Sequence, residues 1–192
     1  ITTRLVGSEM CIRDSYRIAV RHDEGGVMSS WLHQQQPGQR VHLAPPAGDF
    51  FLDITAETPV TLMSGGVGLT PMLAMLNQLA KDKHPATVQW LHATENGATH
   101  AFAEEVTALG AQLPQFWQHI WYNHPQAQDE GKYHQRGLMN LLPLESRVSD
   151  PAMHYYLCGP LAFMEAEEKG LLELGVKKEH IHYEVFGPHK AL

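Results

Sequence analysis

The chain reads as an α/β protein, a mostly parallel sheet with helices on both faces, preceded by part of a small β domain. Three observations lead there. From residue 58 onward, short apolar and β-branched runs alternate with helical patterns, as in a sheet buried on both faces. Glycine-rich or Gly-Pro turns follow three of those runs. Before residue 58 the apolar runs are shorter, alternate with polar residues and are separated by tight turns, the pattern of half-buried strands.

Residues 1–15 carry neither helical nor alternating periodicity, and the run 5–14 resembles the peptide produced by translating sequencing-adapter read-through. They are expected to be an artefactual leader and are set aside from fold reasoning. Residues 16–21 alternate and predict a strand, 22–26 a turn, and 28–33 a short helix opening near Ser29 or Ser30. Residues 40–44 predict a second strand, and an extended run reaches Phe51. Three strands and one helix are too few to close a barrel, so residues 16–57 are expected to be the later half of one.

Residues 58–192 form the second expected domain. Pro59 to Ser64 is almost wholly apolar or β-branched and predicts a buried strand. Gly65, Gly66 and Gly68 follow, where the missing Cβ permits positive φ and close approach of a ligand to the backbone. Thr70 is expected to cap the next helix, with Pro71 as its first residue. Met72, Leu73, Met75, Leu76 and Leu79 then recur on one helical face. Strand, glycine turn and helix N-terminus together make an anion site, because unpaired N–H groups and the helix dipole point at the same place.

Further along, strands are expected over 86–93, 116–122, 153–158 and 181–186, and helices over 99–113, 138–144 and from Gly159-Pro160 to about 174. The polar stretch 126–135 reads as a surface loop. Ligands of such sheets bind beyond the strand carboxyl ends, near the point where strand order reverses. The turns at 65–71, 158–160 and 186–188 should therefore converge on one edge.

Composition narrows the function. A formal net charge of −7 argues against a nucleic-acid surface. No apolar run is long enough to span a bilayer, so a cytoplasmic location is expected. Cys11 and Cys158 make no disulfide framework, and the thirteen histidines show no metal-ligand spacing, so no metal is expected.

Three motifs carry a resemblance: Gly66-Val67-Gly68-Leu69-Thr70-Pro71, Leu157-Cys158-Gly159-Pro160, and Tyr183-Glu184-Val185-Phe186-Gly187-Pro188-His189-Lys190. Together they resemble the ferredoxin–NADP reductase superfamily, and within it the C-terminal reductase portion of the flavohemoglobins (nitric oxide dioxygenases). Glu24-Gly25-Gly26 with Ser29, and Glu95-Asn96-Gly97 with His100, fit the same subfamily. The resemblance runs from residue 16 to 192. It implies a ferredoxin–NADP reductase-like fold, a truncated FAD-binding antiparallel β-barrel over 16–57 followed by an NAD(P)-binding α/β domain.

It further implies that Gly66, Val67, Gly68, Leu69, Thr70 and Pro71 hold the pyrophosphate of NAD(P)H. Cys158, Gly159 and Pro160 would lie beside the nicotinamide, although Cys158 taken alone reads as an inert buried thiol. Phe186 would pack on the flavin with Val185, Gly187 and Pro188, and Glu184 would tune its redox balance. Taken alone, Phe186 reads as core and Glu184 as a solvated charge. Gly26 and Ser29 would meet the FAD pyrophosphate. Two departures stand out: the family's flavin-binding Arg-x-Tyr-Ser strand is not found before Tyr16, and no globin domain with haem precedes it. The implied activity is hydride transfer from NAD(P)H to FAD, then electrons to a haem-globin domain. Two other expectations stand beside it, a stand-alone flavin reductase serving an iron–sulfur or oxygenase partner, and a nucleotide-binding module without full activity. Residues 94–96 offer no cation for a 2′-phosphate, which leans toward NADH or dual use.

Overall fold

A computed structural model describes residues 16–45 and 47–185. Its centre is β1 (Val60–Gly65), all six residues of which are buried. Such a strand must be covered on both faces, and it is. β2 (Val88–Thr94) pairs with it on one side and β5 (His154–Cys158) on the other, both parallel. With β3 (Phe116–Tyr122), β4 (Gln135–Arg136) and β6 (Ile181–Glu184), the order across the sheet is β4-β3-β2-β1-β5-β6. The chain steps outward from β1 to β4, then returns to the far side of β1. The order thus reverses between β1 and β5, the place where ligands of open parallel sheets bind.

Helices α2 (Leu69–Lys81) and α3 (Ala103–Gly110) cover one face. There Leu73, Leu76 and Val106 meet Leu62, Trp90 and Tyr156. On the other face Leu171 of α5 (Leu161–Glu173) and Val148 of α4 (Glu145–Val148) meet Met63, Leu91 and Trp121. The two apolar layers form the core, so the sheet is dry on both sides and needs no amphipathic alternation.

Several expectations change. The helix read over 99–113 is shorter, because residues 96–102 spend their polar groups on local turns instead: Thr99 N–H bonds the Asn96 carbonyl, and Asn96 N–H bonds Thr99 Oγ1. The piece read over 138–144 begins only at Leu142. The stretch 126–135, read as a loop, contains a buried Asp129 and runs into β4. The second helix also opens earlier than Thr70. A 3-10 turn over Gly66–Gly68 leads straight into α2, with Gly68 as its N-cap and no side-chain cap. Thr70 and Pro71 are therefore the second and third residues of α2 and both are buried. Proline is tolerated there because the first-turn N–H groups lack intrahelical acceptors.

The largest difference lies in residues 16–57. Helix α1 (Val27–His33) forms where a helix was expected, two residues early. The strands expected over 16–21 and 40–44 do not form: Arg17 alone makes a bridge, and 40–44 has no ladder. A polar–apolar alternation marks an extended segment, whereas a strand also needs a neighbour to bond. Residues 1–15 and the last seven residues lie outside the described part.

Candidate functional site

A cleft of about 640 Å³ opens at the carboxyl ends of the central strands. Gly65, Gly66 and Val67 line it from β1, Thr94 and Glu95 from β2, Asn123 from beyond β3, and Pro160 from beyond β5. Residues 17–21 run along its mouth. The expected convergence of the first two turns is thus present, while Phe186, Gly187 and Pro188 fall outside the described residues. β6 pairs beside β5 with Glu184 opposite Cys158.

The glycines of the first turn do different work. Gly66 has φ +54° and nothing within 4 Å of where a Cβ would sit. The backbone bends there through a region that disfavours side chains, beside open space. A Cβ on Gly68 would instead overlap the Cys158 carbonyl. Its bare α-carbon is what lets the start of α2 lie directly against the turn after β5. Gly65 and Gly159 come together in the same way, beneath the ring of Phe163. Phe163 also lines the cleft. Its signal was its place one helical turn beyond Pro160.

Of the expected dinucleotide residues, Gly66, Val67, Leu69, Thr70 and Pro160 line the cleft, whereas Gly68 and Gly159 pack the two turns against each other and Pro71 is buried in α2. Cys158 presents its backbone carbonyl, not its thiol, to the glycine turn. It is completely buried, its thiol donates to the Glu184 carbonyl at 3.4 Å, and burial followed by the charge of Glu184 pushes its pKa up to about 12. The side chain is enclosed in the apolar layer beneath α2, and its bond to the Glu184 carbonyl braces the β5–β6 edge. Glu184 and Val185 are half-buried at that edge. Gly26 and Ser29 lie away from the cleft at the start of α1, where Ser29 Oγ accepts from Asp23 N–H and lies within hydrogen-bond distance of the Asp23 and Gly26 carbonyls.

The outer wall of the cleft is built around the Glu95-Asn96-Gly97 motif together with residues that carry no sequence signal of their own. Loops 94–102 and 123–132 are fastened in two places. Glu95 accepts from His124 Nδ1 at 2.7 Å and Asn123 Nδ2 at 3.3 Å, and the His124 bond chiefly holds its pKa below the ordinary value. Asp129 accepts from the Gln126 and Gly97 amides at 2.9 and 3.1 Å, which lowers its pKa too. Phe102 adopts a left-handed conformation, φ +59°, to start α3 and face the cleft. The Arg17 guanidinium lies 5.0 Å from its ring centre and grips both oxygens of Glu105 at 2.7 Å. Apart from Glu95, which belongs to the Glu95-Asn96-Gly97 motif, and the local Gln126–Asp129 cap, these contacts join residues remote in sequence.

Beneath the wall, His92 is fully buried and bonds Ser64 at 2.9 Å, and burial lowers its pKa to about 3. His92 therefore stays neutral, five ångströms from the His100 ring (5.1 Å), which in turn bonds Tyr122.

A sequence profile described as an oxidoreductase NAD-binding domain matches residues 62–169, more than half of the chain. The chain belongs to that family. Its matched part spans the glycine turn, the cleft wall and the Gly159-Pro160 turn. The flavohem-like FAD/NAD binding domain of nitric oxide dioxygenase from Vibrio cholerae O1 biovar El Tor is 39% identical, with a TM-score of 0.73 over 90% of this chain and 72% of that one. Flavohemoglobin from Malassezia yamatoensis, solved with FAD and haem, is 26% identical with a TM-score of 0.79. This chain spans only 44% of its length. A ferredoxin NADP+ reductase from Neisseria gonorrhoeae, 20% identical with a TM-score of 0.71, shares the fold. The NAD-binding domain described here thus has the ferredoxin–NADP reductase-like architecture, and among its described residues no helix is long and apolar enough to cross a membrane.

Proposed function

We propose that the chain is the reductase portion of a flavohemoglobin-type nitric oxide dioxygenase and binds NAD(P)H in the cleft between β1 and β5. The observation that carries the dinucleotide part is the meeting of two turns: Gly66 offers bent backbone beside open space, and Gly68 is pressed on the Cys158–Gly159 turn. Pyrophosphate on the first turn leaves one end of the ligand at Pro160 and Phe163 and the other at Thr94 and Glu95. The chain's task is positional, to bind and orient the nicotinamide and exclude water around it. The flavohemoglobin part is supported by the 39% identity to the Vibrio cholerae domain.

FAD supplies the acceptor of the hydride in this reading. The reading takes the FAD site as incomplete, in keeping with Ser29 bonding Asp23 and Gly26 and with residues 16–45 contributing one helix and a single bridge residue. That same observation favours a second reading, a dinucleotide-binding module that does not itself turn over.

Titration with NADH followed by tryptophan fluorescence tests the site, and saturable binding is expected. NADH oxidation by an artificial acceptor in the presence of added FAD separates the two readings. Turnover with stoichiometric retained flavin favours the reductase; binding without turnover favours the module. Absence of binding overturns both.

A further inference from the structure

We infer that His154, His180 and His182, together with Asp53, form a pH-sensitive fastening that holds β6 and the segment around Asp53 against β5 near neutrality and releases them in mild acid. Pairing of β5 with β6 gathers the histidines. Tyr156 lies opposite His182 in the parallel register, so His154 and His180, each two residues earlier, come side by side on the same face of the sheet. The rings stack there, His154 on His180 at 4.4 Å, His154 on His182 at 5.2 Å and His182 on Tyr156 at 4.6 Å between centroids. From the segment before β1, Phe50 packs on Tyr156, and the Asp53 amide donates to the Tyr156 hydroxyl at 3.3 Å. The stack thus joins that segment to β6, which is the outermost strand on its side of the sheet among the described residues.

The number of protons on the stack decides whether it holds. His154 Nδ1 and His182 Nε2 lie 3.0 Å apart, so one ring donates and the other accepts. That bond survives with both rings neutral or with one charged. With two imidazolium rings both nitrogens carry hydrogens, and the bond is lost. Burial is the chief opponent of charge on His154 and His182 and lowers the pKa of both; His180 opposes it further, while the Asp53 carboxylate favours it. A single carboxylate balances one proton and not two. Imidazolium rings about 4 Å apart repel by about fivefold per pair even at the dielectric of water.

The sign follows from the lowered pKa values. An opened ring takes up the proton more readily than a stacked one, so the fastening is complete above the ordinary histidine value of 6.5 and weakens as pH falls below it. The other charges on the surrounding elements do not offset this. Lys177 pairs with Glu179 at 3.9 Å and Lys178 with Glu168 at 3.4 Å. Asp49 and Glu57 on the Asp53 segment are exposed, Glu184 stands at the far end of β6 opposite Cys158, and α2 carries Lys81 alone. Cys158 bonds the Glu184 carbonyl at the cleft end of the same two strands, so release of β6 loosens the turn on which Gly68 packs.

Deuterium uptake by the 192-residue chain at about pH 7.5 and about pH 5.5, either side of histidine titration and corrected for the pH dependence of free-amide exchange, tests the fastening. Amides of β6 and of residues 50–54 are expected to lose protection in acid by about fivefold or more relative to those of β1, which serve as the control for global destabilisation. Asp53→Asn removes the balancing charge and should move the midpoint of that loss to higher pH. His154→Gln removes one titrating ring and keeps an amide that can bond His182, so it should move the midpoint to lower pH or abolish the loss. His180→Asn, outside the His154–His182 bond, should act in the same direction as His154→Gln. Opposite shifts from the acid and from the histidines sustain the inference. Equal loss from β1 and β6 in the wild type overturns it, as does an Asp53→Asn midpoint that fails to rise or a wild-type midpoint retained in both histidine variants.

Discussion

At the scale of single residues, two glycines two positions apart separate binding from folding. Gly66→Ala meets no neighbour and pays only for a left-handed backbone, about 1 kcal/mol. The expected outcome is a folded protein with weakened NADH binding, read by urea denaturation beside fluorescence titration. Gly68→Ala drives a methyl group into the Cys158 carbonyl, a backbone obstacle that cannot rotate away. It should cost about 3 kcal/mol, the upper part of the range for overpacking, and lower the urea midpoint as well as the affinity. Cys158 makes a third case. With its thiol buried and its pKa raised to about 12, it should resist iodoacetamide at pH 8 until denaturant is added. Peptide mapping by mass spectrometry checks this, and rapid labelling of the native chain would contradict the bracing role. The glycine cluster was legible in the sequence; which glycine faces open space and which packs on the β5 turn was not, because the distinction depends on a strand ninety residues away.

At the scale of elements, the cleft wall is held by titrating groups, so its stability depends on pH. His92 has a native pKa near 3 against 6.5 when unfolded, chiefly through burial. The unfolded chain therefore takes up the proton first. Stability is unaffected above pH 6.5 and falls as pH drops below it, by about 2 kcal/mol at pH 5 from this residue alone. His119, lowered to about 4 by burial and then by His134, acts in the same direction. Urea midpoints at pH 7 and pH 5 should differ accordingly, and His92→Gln should remove most of the His92 contribution. Asp129 has the opposite chemistry and the same sign of slope. Its carboxylate is held below the ordinary 3.8 by the Gln126 and Gly97 amides, so its stabilisation is complete above that value and is lost as pH falls beneath it. In Asp129→Ala those two amides should exchange hydrogen faster, measured by deuterium uptake at pH 7. Strand and helix positions were readable from apolar runs, since β1, β2 and β5 are largely buried on both faces and carry dense apolar sequence. β4 was missed: two residues at the sheet margin leave no periodic trace.

At the scale of the whole molecule, residues 16–57 meet the α/β domain through few polar anchors. The Arg17–Glu105 pair is one; Asp53 N–H donating to Tyr156 Oη at 3.3 Å is another. Arg17 and Glu105 are both partly exposed, so Arg17→Ala should change global stability by less than about 1 kcal/mol. It should nonetheless speed cleavage within residues 16–57 under limited trypsin digestion, while the α/β domain stays intact.

Sequence alone determined the α/β class and the main buried strands and helices of residues 58–185, and it located the glycine turn that follows β1. All of these follow from local periodicity and from backbone chemistry that each residue carries with it. It also supported a ferredoxin–NADP reductase resemblance through three short motifs. Tertiary structure alone decided the strand order, and with it the reversal between β1 and β5 that puts two of those motifs on one cleft. It likewise decided that Cys158 is enclosed, that 16–21 and 40–44 form no ladder, and that Glu95, Phe102 and Asp129 build the cleft wall. Pairing, enclosure and charge contacts join residues far apart in the chain, and no local pattern records which distant partner will arrive.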